Sequence, residues 1–425
     1  MKMLKTGYIV VGTGAGGPMA ARELAMTGKE LIIIEQGSAM SRFAGLDEMG
    51  LGKQLYQDNG RFPRTEEGYS ILRGFNLGGT TELAIGHAVR CFEEQLRYFD
   101  IDISAELDEI EKEIGVCEMP DSHIGPNAAL LTDAALSLNL GISKWPKFID
   151  FDKCNHCGRC VISCPRNAKW SSNRIMDQLR KLENVRILTE TKVKHLKIAG
   201  GRVLGVVCKT SKGMLEINAE TVLLSAGGLG TPVILQNSGI KAGQALYMDM
   251  FVIVYGRSNK FGPAGEPSMP TIFEEDRQKP YILAPHVDAA LMFQGIKGWF
   301  GAKPPYGIMV KTRDKNSGRV DQNGRVFKRL EETDIHSLTE GEKMARQIMA
   351  RAGVSKKDIT VSEPTGGHPG GTAAIGRVIN PNLECRAVKS LYVCDASVFP
   401  ESPGKPPIIS ICALGKWLGR RLAEK

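Results

Sequence analysis

No stretch of this chain reaches the ~18 uninterrupted apolar residues that a membrane-spanning helix needs, so no membrane span is expected. No block of lysine and arginine stands out. The 55 basic residues are scattered among 47 acidic ones, and the net charge of +8 is mild for 425 residues, so no nucleic-acid-binding surface is expected. A field that weak can help dock an acidic electron carrier, though a plain solvated surface accounts for it as well. Neither an internal repeat nor a low-complexity tract is present, which sets aside repeat arrays and disordered tails. The N-terminus reads straight into a strand rather than a secretory leader or an anchor. With no leader, ten cysteines point to a reducing, cytoplasmic setting. What remains is ordinary for a folded globular chain of two or so domains, with 42% hydrophobic and 24% charged residues.

Four of the cysteines are crowded together. Cys154, Cys157, Cys160 and Cys164, followed by Pro165, form the C-x2-C-x2-C-x3-C-P run of bacterial ferredoxins. Short C-x2-C steps wrap a backbone around a [4Fe–4S] cubane with the thiolates turned inward. The last cysteine is expected to begin a short helix. Because that last cysteine serves the other cluster in two-cluster ferredoxins, Cys164 is the less secure ligand, and a remote thiol such as Cys91 or Cys117 is an alternative fourth. Zinc and disulfides are the competing readings. A structural zinc site pairs two C-x2-C knuckles, and no second knuckle exists.

At the N-terminal end, Tyr8–Val11 reads as an apolar strand, Gly12-Thr13-Gly14-Ala15-Gly16-Gly17 as a G-x-G-x-x-G turn, and Pro18 onward as a helix. In this fingerprint Gly12 makes the tight turn, Gly14 lets the backbone approach a pyrophosphate, and Gly17 lets helix and strand pack closely. A second strand, Leu31–Ile34, ends in Glu35, where a ribose partner belongs. FAD and NAD share this unit. Three further pieces suit a large extended cofactor: Leu77-Gly78-Gly79-Thr80-Thr81, the strand Thr221–Ala226 leading into Gly227–Pro232, and Leu391–Asp395.

Together these pieces resemble the glucose–methanol–choline (GMC) oxidoreductases. The matching stretches run in order: Val11–Gly17 with Glu35, Gly78–Arg90, Ser225–Ile240, Gly367–Gly376 and Leu391–Leu414, with Cys164–Lys169 similar to a cysteine-rich stretch of some members. Gly307–Gly353 resembles the return from the substrate domain. The resemblance implies an α/β fold: a doubly wound FAD-binding domain of discontinuous segments, a smaller α+β substrate domain, and here a ferredoxin-like cluster loop. The expected divisions are residues 1–100, 171–245 and 355–425 for FAD, 101–150 and 246–354 for the substrate side, and 151–170 for the cluster. It further implies that Gly12, Gly14, Gly17 and Glu35 bind the ADP half of FAD, with Val193 near the adenine. Gly79, Thr80 and Asp395 would follow the pyrophosphate and ribityl chain.

The resemblance also places a catalytic base at His368, in His368-Pro369-Gly370-Gly371-Thr372. Histidine titrates nearest neutrality and suits proton removal from a hydroxyl. The family's second histidine or asparagine falls on Pro406, which has no polar side chain and no N–H. Lys405 or His87 is a possible substitute. Glu363 reads as a surface carboxylate, His156 as a loop residue beside the cysteines, Trp170 as packing, and Glu340–Gly353 as a packed helix. Three functions follow as expectations. The first is a dehydrogenase of a small-molecule CH–OH group, passing electrons singly through the cluster to a ferredoxin-like carrier. The second is a ferredoxin-fed reductase of a C=C or C=O bond. The third is a flavin and cluster subunit that relays electrons to a partner subunit.

Overall fold

The structure is a computed structural model and describes residues 2–39, 48–56, 58, 61–262, 265–274, 280–287 and 306–425. The chain begins with strand β1 (Lys2–Val11), helix α1 (Gly16–Ala25) and strand β2 (Leu31–Ile34). Far along the sequence, β3 (Gly213–Leu224) leads into α2 (Gly227–Gln236). Strands β4 (Met250–Gly256), β5 (Tyr281–Val287) and β6 (Tyr306–Thr312) precede the long helix α3 (Glu332–Arg351). Strand β7 (Leu391–Val393) and helix α4 (Ile408–Ala423) complete the set.

The first sheet is parallel where it matters. β1 lies between β2 and β3, with Val11 opposite Ile34 on one side and Leu224 on the other. β7 pairs with β3, and Val185–Leu188 pairs with β2. Ile9, Val10, Leu31, Ile33, Val222 and Leu224 are fully buried, as strands covered on both faces require. The antiparallel hairpin of Lys192–Ala199 and Arg202–Thr210 extends β3 at its N-terminal half. On one face α1 and α4 touch almost backbone to backbone: a Cβ on Gly415 would lie 2.4 Å from the Gly16 carbonyl oxygen.

The second sheet is mostly antiparallel, in the order 70–71, 365–366, β4, β6, β5, 271–274, 141–144. Alternation sorts β6 into two faces. Ile308 and Val310 join Ala345, Ile348 and Met349 of α3 in one core, whereas Met309 packs with Phe251, Ile253 and Tyr255 on the other side. Lys311 shares that other side, toward the first sheet.

Two local expectations need correction. No helix begins at Cys164; the cysteine segment is a succession of turns, and the next described helix is Asn173–Leu179. The helix expected over Glu340–Gly353 starts eight residues earlier, at Glu332, because Glu331 and Asp334 form a reciprocal capping box. Among the described residues no helix is long and apolar enough to cross a membrane.

Candidate active site

The turn after β1 is built by close approach. Gly12 has φ +102°, and a Cβ there would sit 2.2 Å from Ser225 O. A Cβ on Gly17 would strike Gly12 O at 2.3 Å, whereas one on Gly14 meets nothing within 4 Å. Gly14 therefore faces open space, as a backbone that receives a phosphate should. Glu35 is buried, and its Oε2 accepts from Thr13 N (3.0 Å) and Thr13 Oγ1 (2.7 Å), while Oε1 accepts from Gly37 N (2.8 Å). Thr13 Oγ1 also accepts from Gly78 N at 3.0 Å, and Thr13 O accepts from Ser172 Oγ at 2.8 Å. This residue, which drew no notice in the sequence, ties the first glycine turn to the second.

Gly79 approaches Gly14, since a Cβ on Gly79 would lie 3.3 Å from Gly14 Cα. Thr80 is exposed, and its Oγ1 accepts from Gly74 N. Asp395 is buried; its Oδ2 accepts from Gly227 N (2.9 Å) and Thr231 Oγ1 (2.5 Å). Burial pushes the Asp395 carboxyl above the usual carboxylate range, against its hydrogen bonds from Ser397 and Thr231. Val193 is buried two residues beyond Thr191, whose N–H donates to Glu35 O at 2.9 Å. Arg73 reaches into the same region, with Nη2 3.0 Å from where a Cβ on Gly230 would stand. Burial holds its guanidinium below the usual range, opposed by Asp58, Glu35 and Asp395. Among the described residues it has a ring contact with Phe75 but no hydrogen-bonded partner. An open glycine backbone, a helix N-terminus at Gly227 and an unpaired cation fit a dinucleotide pyrophosphate.

His368 sits on a loop clamped to this cradle. Gly228, in the first turn of α2, packs so tightly on Pro369 that a Cβ would lie 2.1 Å from Pro369 O, and Thr372 Oγ1 donates to Gly228 O. The His368 N–H donates to Met248 O at 2.9 Å. Its Nδ1 has two partners: Lys311 Nζ at 2.6 Å and Asp249 Oδ2 at 2.9 Å. Among the described residues Nε2 has none. Lys311 and Asp249 form an ion pair of 3.1 Å with side chains 5% and 0% exposed. Asp249 Oδ1 accepts from Ser402 Oγ and from Gly404 N (3.1 Å), which anchors the segment leading to Pro406. Behind it, Asp314 accepts from Met248 N and Asp249 N and pairs with the buried Lys328 at 2.8 Å. Burial and then Lys311 lower the imidazole of His368 below its ordinary value, with Asp249 opposing. Burial would raise Asp249, but Lys311 and His368 hold it below the usual carboxylate range.

Neither expected substitute for the missing partner at Pro406 hydrogen-bonds His368. Lys405 is exposed. His87 is buried and stacked on Trp145 with ring centroids 4.2 Å apart, and burial together with Lys147 drives its imidazole well below the ordinary range. Pro406 itself offers only its carbonyl, 3.7 Å from Cys91 Sγ. Glu363 is exposed, with no part in orienting His368. Lys311 and Asp249 are the polar neighbours, and no motif announced them.

Cys154, Cys157, Cys160 and Cys164 line one narrow cavity of about 20 Å³ with His156, Ala168 and Lys169. Neither Cys91 nor Cys117 lines it. Cys91 lies by Pro406, and Cys117 points to Ile149 O. Ala168 N and Lys169 N donate to Cys164 Sγ at 3.2 and 3.4 Å. Burial pushes the Cys160 thiol up to about 11, opposed by Lys169 and Lys147. Among the described residues no group of three or more histidine, cysteine or acidic side chains is drawn close enough to hold a metal ion. Four thiols are the donor set of a thiolate-held centre, but the space between them here is only that of a single water. Lys169 Nζ donates to Glu82 O and Ala84 O, both at 2.6 Å, and to Cys160 O at 3.2 Å, linking this loop to the segment that follows Gly79 and Thr80.

Family models described as GMC oxidoreductase match residues 52–251 and 320–415. An uncharacterised protein of Methanocaldococcus jannaschii is 30% identical over 419 residues, covering 98% of this chain and 99% of that one. A long-chain-alcohol oxidase of Arabidopsis thaliana is 22% identical over 99% of this chain and 68% of its own. Pyridoxine 4-oxidase from Mesorbium loti superposes with a TM-score of 0.72 at 16% identity over 99% of both chains. A formate oxidase gives 0.71 at 16% identity over 99% and 98%.

Proposed function

The chain belongs to the GMC oxidoreductase family, FAD-dependent enzymes acting on CH–OH groups, and from that premise we propose that it is a dehydrogenase in which His368 is the base. The carrying observation is the placement of His368: its loop is packed on the N-terminus of α2, Nδ1 is held from behind, and Nε2 is left without a partner among the described residues. Bound FAD supplies the two-electron acceptor. His368 takes the hydroxyl proton on Nε2 as the hydride leaves the carbon, and a carbonyl product remains. Gly12, Gly14, Gly17, Glu35, Gly79, Thr80, Val193 and Asp395 hold the cofactor, with Arg73 against its phosphates.

The four cysteines are further proposed to hold a [4Fe–4S] cluster. The C-x2-C-x2-C-x3-C-P spacing and the N–H groups turned toward Cys164 support this, and the thiols would have to open from their present spacing to admit it. A cluster there would supply a one-electron exit toward a ferredoxin-like carrier or partner subunit.

Anaerobic addition of straight-chain primary alcohols, 1-octanol among them, should bleach the flavin of the holoenzyme. His368→Ala should slow that bleaching by ~100-fold or more, the scale of a lost general base. An alanine variant that bleaches as fast as the parent removes His368 from the chemistry. Iron and acid-labile sulfide on anaerobically purified protein test the cluster, and Cys160→Ser should lose both. The reductive reading, ferredoxin-fed reduction of a C=O or C=C bond, is favoured by Pro406, where the oxidative pair lacks its second member. It predicts that an enone oxidises the reduced protein while alcohols leave the flavin unbleached.

A further inference from the structure

The contacts at His368 Nδ1 compete for one site. A neutral imidazole nitrogen offers either a proton or a lone pair. Asp249 Oδ2, at 2.9 Å, can only accept there. Lys311 Nζ, at 2.6 Å, donates to that nitrogen as an ammonium and accepts from it as an amine. We propose that Lys311 is the second proton-handling partner of His368, reached through the far side of the imidazole, in the role that Pro406 leaves without a polar group. The inference rests on the reading of His368 as the base.

The protons balance in a simple relay. With Lys311 as an amine, Nδ1 carries the ring proton and Nε2 is open. The substrate hydroxyl gives its proton to Nε2, its C–H hydride leaves to FAD, and the Nδ1 proton passes to Lys311 Nζ. The substrate becomes a carbonyl compound. The ring is neutral again with its proton on Nε2. The one new charge on the protein's own groups is the Lys311 ammonium, 3.1 Å from the Asp249 carboxylate; the hydride would bring the balancing negative charge to FAD. Without Lys311 the same step leaves a partly buried imidazolium. Lys311 is therefore a positioning residue that also stores the proton.

The surroundings favour this division. Lysine changes protonation readily when buried. Burial holds the Lys311 ammonium below its ordinary range, with Asp249 opposing. The other groups facing the cluster do not compete for the proton. Burial pushes Cys91 up to about 12 and the Tyr247 hydroxyl well up, so both stay neutral, and His87 is driven well down. Asp314 is taken by Lys328, and Lys405 is exposed.

The test reads the ring and needs no substrate. The FAD-loaded full chain is labelled with [15N]histidine, and His368 is assigned by its absence in His368→Gln. In the parent protein the ring proton should move from Nε2 to Nδ1 as pH rises through the Lys311 titration, with the ring neutral on both sides. Lys311→Arg keeps a cation against Asp249 that does not release its proton. The switch should be lost there, with His368 fixed as the Nε2–H form and FAD retained. Lys311→Met should show an ordinary imidazole-to-imidazolium titration. A parent tautomer that ignores pH, or an arginine variant that switches like the parent, overturns the proposal. If alcohols fail to bleach the parent flavin, the dehydrogenase reading falls while this titration stays readable.

Discussion

Thr13 shows how much one hydroxyl can organise. It donates to Glu35, accepts from Gly78 N, and through its own carbonyl receives Ser172. Replacing it with valine keeps the shape but leaves the buried Glu35 carboxylate and Gly78 N–H short of a partner each. Each such loss costs about 1–3 kcal/mol. Thr13→Val should therefore lower the midpoint of chemical denaturation and weaken FAD retention, both read in one titration followed by flavin fluorescence. Normal retention with a lowered midpoint would confine Thr13 to a structural role. At this scale the sequence was readable only where residue type and spacing are local. Gly12, Gly14, Gly17 and Glu35 declare themselves because the turn needs them in order. Thr13 sits inside that same motif, yet its bond to Gly78 spans 65 residues and leaves no periodic trace. Lys311 and Asp249 are the sharper case, 57 and 119 residues from His368 and unflagged by any pattern.

At the scale of elements, β6 joins packing to chemistry. Val310 faces α3 while its neighbour Lys311 faces His368, so what disturbs one side of the strand is felt on the other. Gly341 of α3 is the contact point: a Cβ there would stand 2.3 Å from Val310 Cγ1 and 3.1 Å from Tyr281. Alanine is the better helix former, yet Gly341→Ala should destabilise by about 1–3 kcal/mol through overpacking. It should also slow flavin bleaching by displacing Lys311. A thermal melt and the anaerobic alcohol assay check the two effects, and unchanged values in both would mean that α3 yields without moving β6. The strands β1 and β2 and the α1 start were legible because apolar runs, glycines and a terminal acid coincide within a short window. The start of α3 was not, since its cap is a glutamate rather than the usual serine, threonine, aspartate or asparagine. The turns at Cys164 replaced an expected helix because local contacts to its sulfur, from Ala168 and Lys169, set that backbone instead.

Across the whole molecule, the cofactor domain is sewn from distant parts of the chain. α1 and α4 meet at Gly415 and Gly419, where added Cβ atoms would lie 2.4 Å from Gly16 O and 2.8 Å from Ala20 O. Gly415→Val should force these helices apart and release FAD, since α1 follows directly on the Gly12–Gly17 turn proposed to hold the cofactor. Gel filtration with flavin absorbance would show it, and a variant that keeps its flavin would mean that α4 is only a cover. The same stitching governs how the protein is made. β1 is central and apolar, but one of its two neighbours, β3, starts only at Gly213. At ~5–20 residues per second, the ribosome needs many seconds to reach it. Through that interval the nascent strand keeps a bare hydrogen-bonding edge, a template for mispairing with other chains. Slower translation or reduced chaperone cover over that window should therefore lower the yield of flavin-binding protein.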